Sequence, residues 1–126
     1  MPYFYKIDKD RRIVLSTASG KFSLADFRAH QERLSSDPDH DPTYSQIADF
    51  THVVYFDVSA AEIRRMAEHS VFHPSARRAF IAPDDVIYGS SRMYQTFREN
   101  LGATGIGVFR TLEEALNWVL SDGATG

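Results

Sequence analysis

Apolar and polar positions alternate from the start of the chain. Tyr3, Tyr5 and Ile7 share one face and Phe4, Lys6 and Asp8 the other, which predicts a short strand. Lys9-Asp10-Arg11 reads as a polar turn, and Ile13, Val14, Leu15 and Thr17 as a second strand closed by Gly20. So short a connection predicts a hairpin, hence an antiparallel pair. The period then changes. Ser23 stands where a helix needs an N-cap, and Leu24, Phe27 and Leu34 lie along one helical face, with His30 on the same side as a partly buried or rim histidine. Asp37-Pro38-Asp39-His40-Asp41-Pro42 is a loop, because its prolines and aspartates oppose helix and strand alike. Ile47–Phe50 reads as a short buried strand, while Val53-Val54-Tyr55-Phe56 is apolar without a deciding period.

Ser59-Ala60-Ala61-Glu62 has the form of a capping box, followed by a helix with Ile63, Met66 and Ala67 on one side and stopped by His73-Pro74. Ala79–Ala82 is a compact apolar strand ended by Pro83. A third helix begins between Asp84 and Ser90 and runs to about Leu101, with Met93, Phe97 and Leu101 as its expected buried seam and Gly102 as its stop. Gly105–Phe109 is the last strand, its glycines expected to admit close helix packing. Thr111 caps a final helix whose stripe is Leu112, Ala115, Leu116 and Val119.

The order β-β-α-β-α-β-α-β-α predicts an α/β fold: an N-terminal β-hairpin, then βα units, giving a mostly parallel five-stranded sheet with four helices. Residues 1–122 are expected to form one domain and 123–126 a flexible tail. Composition narrows the function. A hydrophobic fraction of 43% supplies a core without metal or disulfide staples, and a net charge of -3 argues against a dedicated nucleic-acid binder. The absence of cysteine excludes disulfides, thiolate metal sites and a cysteine nucleophile. With no signal-like start and no apolar run of about 18 residues, a cytoplasmic location without a membrane span is expected.

Several stretches together resemble the SpoIIAA-like family of STAS-related bacterial proteins, itself related in fold to CRAL-TRIO/Sec14 domains. They are Gly20 before the first helix, Asp49-Phe50-Thr51, Ala79-Phe80-Ile81-Ala82, Tyr88-Gly89-Ser90-Ser91-Arg92-Met93, and Val108-Phe109-Arg110 leading into Glu114-Ala115-Leu116-Asn117-Trp118. The resemblance spans about Tyr3 to Leu120 and implies a SpoIIAA/STAS-like fold, with no established reaction. Anti-sigma-factor antagonists of that superfamily carry an Asp-Ser-Ser-Gly stretch at a helix start and are phosphorylated on a serine there. The stretch here is Asp57-Val58-Ser59-Ala60, which keeps Ser59 but replaces one serine and the glycine. A phosphate on Ser59 would sit at a helix N-terminus; the other reading of Ser59 is an N-cap paired with Glu62.

Ligands of open parallel sheets bind outside the carboxyl ends of the strands, which nominates Asp49, Thr51, Asp84, Asp85, Tyr88 and Arg110, with Arg92 facing them from the third helix. Arg92 is either an anion anchor beside Tyr88 or a brace paired with a carboxylate such as Asp49. His69 and His73 are spaced for one helical face, but Pro74 ends the helix, and His40 among three aspartates does not match a calcium loop, so no metal site is assigned. A nucleophile elbow, a P-loop and a dinucleotide fingerprint are all missing, and no cofactor is expected. Arg64-Arg65 and Arg77-Arg78 read as solvated faces. Nine Phe, six Tyr and one Trp are many for so small a core. The helix after Ser59, flanked by Val53–Phe56 and Val71-Phe72, is therefore read as a lid over a cavity or a dimer face, against plain core packing. These features point to a non-enzymatic regulatory or carrier domain that binds a small apolar or amphipathic ligand or a protein partner, with homodimerisation expected from its aromatics. Second is a phosphorylation switch through Ser59; third is an enzyme acting at the strand ends.

Overall fold

The computed structural model describes residues 3–121, so the tail expected at 123–126 lies outside the described residues. β1 (Tyr3–Asp8) and β2 (Ile13–Ser23) form the expected antiparallel hairpin, with Tyr3 opposite Ala18 and Asp8 opposite Ile13. β3 (Ser45–Asp57), β4 (Arg78–Ile81) and β5 (Ile106–Phe109) follow in parallel, and the sheet order is that of the chain, β1-β2-β3-β4-β5. Four helices alternate with them: α1 (Leu24–Ser35), α2 (Ala60–Ala67), α3 (Asp85–Asn100) and α4 (Leu112–Leu120).

The helices divide unequally over the sheet. Leu24 and Phe27 of α1, Ile63, Met66 and Ala67 of α2, and Ile87 and Tyr94 of α3 share a core with Ala48, Phe50 and Phe80 on one face. On the other face α4 packs Ala115 and Val119 on Ile13, Ile47, Ala79 and Ile81. A smaller cluster of Val14, Leu34, Phe72 and Ala76 fills the far end of the first face. Strands buried on both sides require the near-continuous apolar runs that β4 and β5 carry.

Four local expectations need correction. Gly20 does not close the second strand: its φ of 63° admits a register shift, and β2 continues to Ser23. The segments 47–50 and 53–56 are not separate elements, because two register shifts against β2 carry them through as one long strand, and pairing with β4 stops at Asp49. The buried seam of α3 is Ile87, Ser91, Tyr94 and Arg98, one position round from the expected one, so Met93 and Leu101 are exposed. Leu112 likewise lies outside the α4 stripe and is exposed. Gly105 stands just before β5, where a Cβ would strike the backbone of Ala76, and Gly107 within β5 lies under the Phe109 ring and, next to it, the Trp118 ring of α4.

Candidate functional site

The sequence-nominated residues separate into three places. Arg110, just after β5, donates to an Asp85 carboxylate oxygen at 2.8 Å and to the Pro83 carbonyl at 2.9 Å, and its guanidinium lies 4.0 Å from the centre of the Tyr88 ring. Asp84 beside them is consumed as the N-cap of α3, accepting from Val86 and Ile87. Asp85, Tyr88 and Arg110 are thus brought together, but they satisfy one another in an exposed brace. Asp49 accepts from the backbone N–H and hydroxyl of Thr51. Asp49 registers opposite Ile81, whose side chain is on the α4 face, while α3 lies on the other face. The Asp49–Arg92 brace therefore does not form, and Arg92 is exposed, its side chain unpaired among the described residues.

Ser59 is the N-cap of α2. Its Oγ accepts from the Glu62 N–H at 3.2 Å, and its own N–H donates to the Glu62 carboxylate at 2.9 Å. Among the described residues no group of three or more His, Asp or Glu side chains is placed to hold a metal ion.

Beneath α2 the sheet carries a row of aromatic rings. Phe22 meets Phe50 edge-on with ring centres 5.2 Å apart and stacks with Phe56 at 5.8 Å. Phe80 of β4 continues the row to Tyr94 of α3 at 5.4 Å. Alternation places these side chains on one face, and Gly20 lets β2 reach far enough to contribute Phe22. Over the row, Ile63 and Met66 of α2 leave a void of about 30 Å³, bounded by Phe27 on one side and Ser90 and Ser91 on the other. Ser91 is 8% exposed, and its hydroxyl makes no hydrogen bond with another described residue. The apolar flanks of α2 split: Val53, Phe56 and Phe72 pack inward, whereas Val54 is 89% exposed and Tyr55 is exposed too. Arg98 of α3 fastens the end of α2, donating to the Ala67 carbonyl at 2.8 Å.

Next to this apolar layer lies a polar one. Arg78 is not solvated as its basic pair suggests; it is 6% exposed, pointing into the core from β4. Arg77 bonds the carbonyls of Trp118 and Ser121 at the end of α4. A chain of neutral groups runs from Arg78 Nε to Gln46 Oε1 at 3.0 Å, from Gln46 Nε2 to Ser16 Oγ at 3.1 Å, and from Ser16 to His30 Nε2 at 2.9 Å. His30 is buried rather than at a rim, with its ring stacked 4.0 Å from Tyr3. Burial first, then the positive charges of Arg33, Arg78 and His40, push its pKa down to about 3, so it is neutral near pH 7. The sequence reading missed Ser91, Arg78 and Arg98 because a polar residue at a core position breaks the pattern by which a core is found.

An antiparallel hairpin feeding three parallel strands with interleaved helices defines a SpoIIAA-like α/β fold. The chain is similar to an uncharacterised protein of the DUF3478 family with a SpoIIAA-like fold from Shewanella loihica PV-4. The TM-score is 0.60 at 17% identity, covering 93% of this chain and 91% of that one. At that identity the likeness concerns the fold alone. No protein-family model matches the chain, and no curated protein matches it. Among the described residues no helix is long and apolar enough to cross a membrane.

Proposed function

We propose that this domain is a non-enzymatic carrier or regulator that takes a small, largely apolar ligand beneath α2, with α2 as the lid. The observation that carries the reading is the void itself: aromatic and aliphatic side chains from six elements converge on it, Ser90 and Ser91 complete its wall, and the surface it presents is almost wholly apolar. The strand-end cluster supports an enzyme less well, since Asp85 and Arg110 already neutralise each other. At about 30 Å³ the void has room for one or two waters, so a ligand of several carbons requires α2 to swing outward. Ile63 and Met66 hold α2 down, each contributing about 1.5–3 kcal/mol of apolar burial. Lifting them costs about 3–6 kcal/mol, so the open state is on the order of 10⁻² to 10⁻⁴ of the molecules until a ligand offsets that cost.

The second reading, a switch phosphorylated on Ser59, has exposure in its favour, but a phosphate there would displace the Glu62 carboxylate from the cap. Paired native and denaturing mass spectrometry, on protein as purified and after incubation with 1-octanol, separates the two. A noncovalent mass excess that vanishes on denaturation supports the carrier. A covalent phosphate mapped to Ser59 supports the switch. A bare mass in every spectrum refutes the carrier, and the native spectra also test the expected homodimer.

A further inference from the structure

The least expected group in the core is the charge on Arg78. Its Nη1 donates to the Tyr94 hydroxyl at 2.9 Å and to Ser70 Oγ at 3.4 Å, and its Nε to Gln46. The guanidinium carbon also lies 4.8 Å from the Phe72 ring centre and 5.4 Å from those of Phe80 and Tyr94. All of these partners are neutral. Among the described residues no carboxylate comes within ion-pair distance of Arg78, and its Nη2 donates to none of them. An arginine does not give up its proton, and a buried cation without a counter-ion is costly even when its hydrogen bonds are made. His30, which shares a wall of the adjoining void with it, is neutral near pH 7.

Against this guanidinium lies a second void of about 10 Å³, walled by Arg78, Gln46, His30, Gln31, Tyr3 and Phe27 among others. Phe27 lines both voids, and Tyr94, whose ring borders the first, has its hydroxyl on Arg78. The segment after α2 supplies Val71 and Phe72 to the second void, as α2 supplies Ile63 and Met66 to the first. α2 and the segment behind it thus wall both voids.

We propose that Arg78 is an anion-binding residue and that the ligand is an amphipathic monocarboxylate. Its carboxylate meets the free Nη2 edge of Arg78, and its apolar body runs past Phe27 and Tyr94 under α2. The placement of the body rests on the carrier reading above; the anion site rests on Arg78. One fixed positive charge among aromatic rings matches a single negative charge, whereas a phosphate dianion would leave a second charge buried and unpaired.

Isothermal titration calorimetry with sodium octanoate, 1-octanol and sodium acetate tests this near neutral pH. Octanoate is expected to bind tighter than octanol by about tenfold or more, the factor that one charge-assisted hydrogen bond supplies. Arg78→Gln is expected to remove that preference and leave octanol binding within about twofold, with circular dichroism confirming the fold. Where the variant does not fold, the octanoate-to-octanol ratio of the native chain decides. Octanol binding as tightly as octanoate, or a folded Arg78→Gln that keeps the preference, overturns the role of Arg78 and leaves the carrier reading intact. Acetate binding as tightly as octanoate keeps the anion site and overturns the apolar body. Binding of none of the three overturns both.

Discussion

Protonating His30 would place a second cation in the layer that already holds the uncompensated charge of Arg78, so acid should destabilise this protein before its carboxylates titrate. His30 is folded with a pKa of about 3 against an ordinary 6.5, a depression caused first by burial. In the unfolded chain the imidazole takes up its proton as pH falls through 6.5; in the native chain it does not. The unfolded state thus binds more protons, and stability is full above the unfolded value and falls with pH toward the folded one. Between about pH 6.5 and about pH 5 the loss is about 2 kcal/mol, a large part of a small domain's stability. Asp8, Asp37 and Asp41 have carboxyls held below 3.8 by hydrogen bonds, from Arg11, Tyr5 and Thr43 respectively. Their contributions are present above the ordinary carboxylate value and lost as pH falls below it, outside this window. Urea unfolding followed by Trp118 fluorescence at neutral pH and at about pH 5 measures the effect. His30→Gln keeps a hydrogen-bonding side chain near Ser16 but cannot titrate, so it should be less stable at neutral pH and about 2 kcal/mol less sensitive to acid. The reasoning fails if the native chain loses less than about 0.5 kcal/mol over that interval, or if His30→Gln loses as much as the native chain.

Two further outcomes test the site. Ser59→Ala removes the side-chain half of the α2 capping box, the Oγ that accepts from the Glu62 N–H, and should cost about 1 kcal/mol in urea unfolding; a neutral result would remove the structural role given to Ser59. A double-mutant cycle on Asp85 and Arg110 should return a coupling below about 1 kcal/mol, because the pair is exposed, and a much larger value would make the strand-end cluster an organised site rather than a brace.

The order and kind of the elements were legible because most of them follow the simple periods: alternation in β1, caps before α1, α2 and α4, and apolar runs in β4 and β5. Legibility ended where the pattern was broken for a reason that local sequence does not carry. The two register shifts in β3 hid one strand as two fragments, because a shift depends on the partner strand. The α3 seam was rotated because two of its four buried members, Ser91 and Arg98, are polar: one hydroxyl faces the void and one guanidinium holds the end of α2. Arg78 was misplaced for the same reason, as its burial depends on Gln46, Tyr94 and a ring from the segment after α2. The strand-end rule did bring Asp85, Tyr88 and Arg110 together. It could not show that Asp49 and Arg92 sit on opposite faces of the sheet. A void does lie beneath the helix after Ser59, and its small size follows from how closely Ile63 and Met66 settle on the rings below.

The most direct test follows the methyl groups of Ile63 and Met66 by carbon–proton NMR while 1-octanol is added. Both should shift and saturate together, while the methyls of Val119 and Leu116 on the α4 face stay in place. Unmoved Ile63 and Met66 methyls, or shifts spread equally over both faces, would mean that no ligand enters beneath α2.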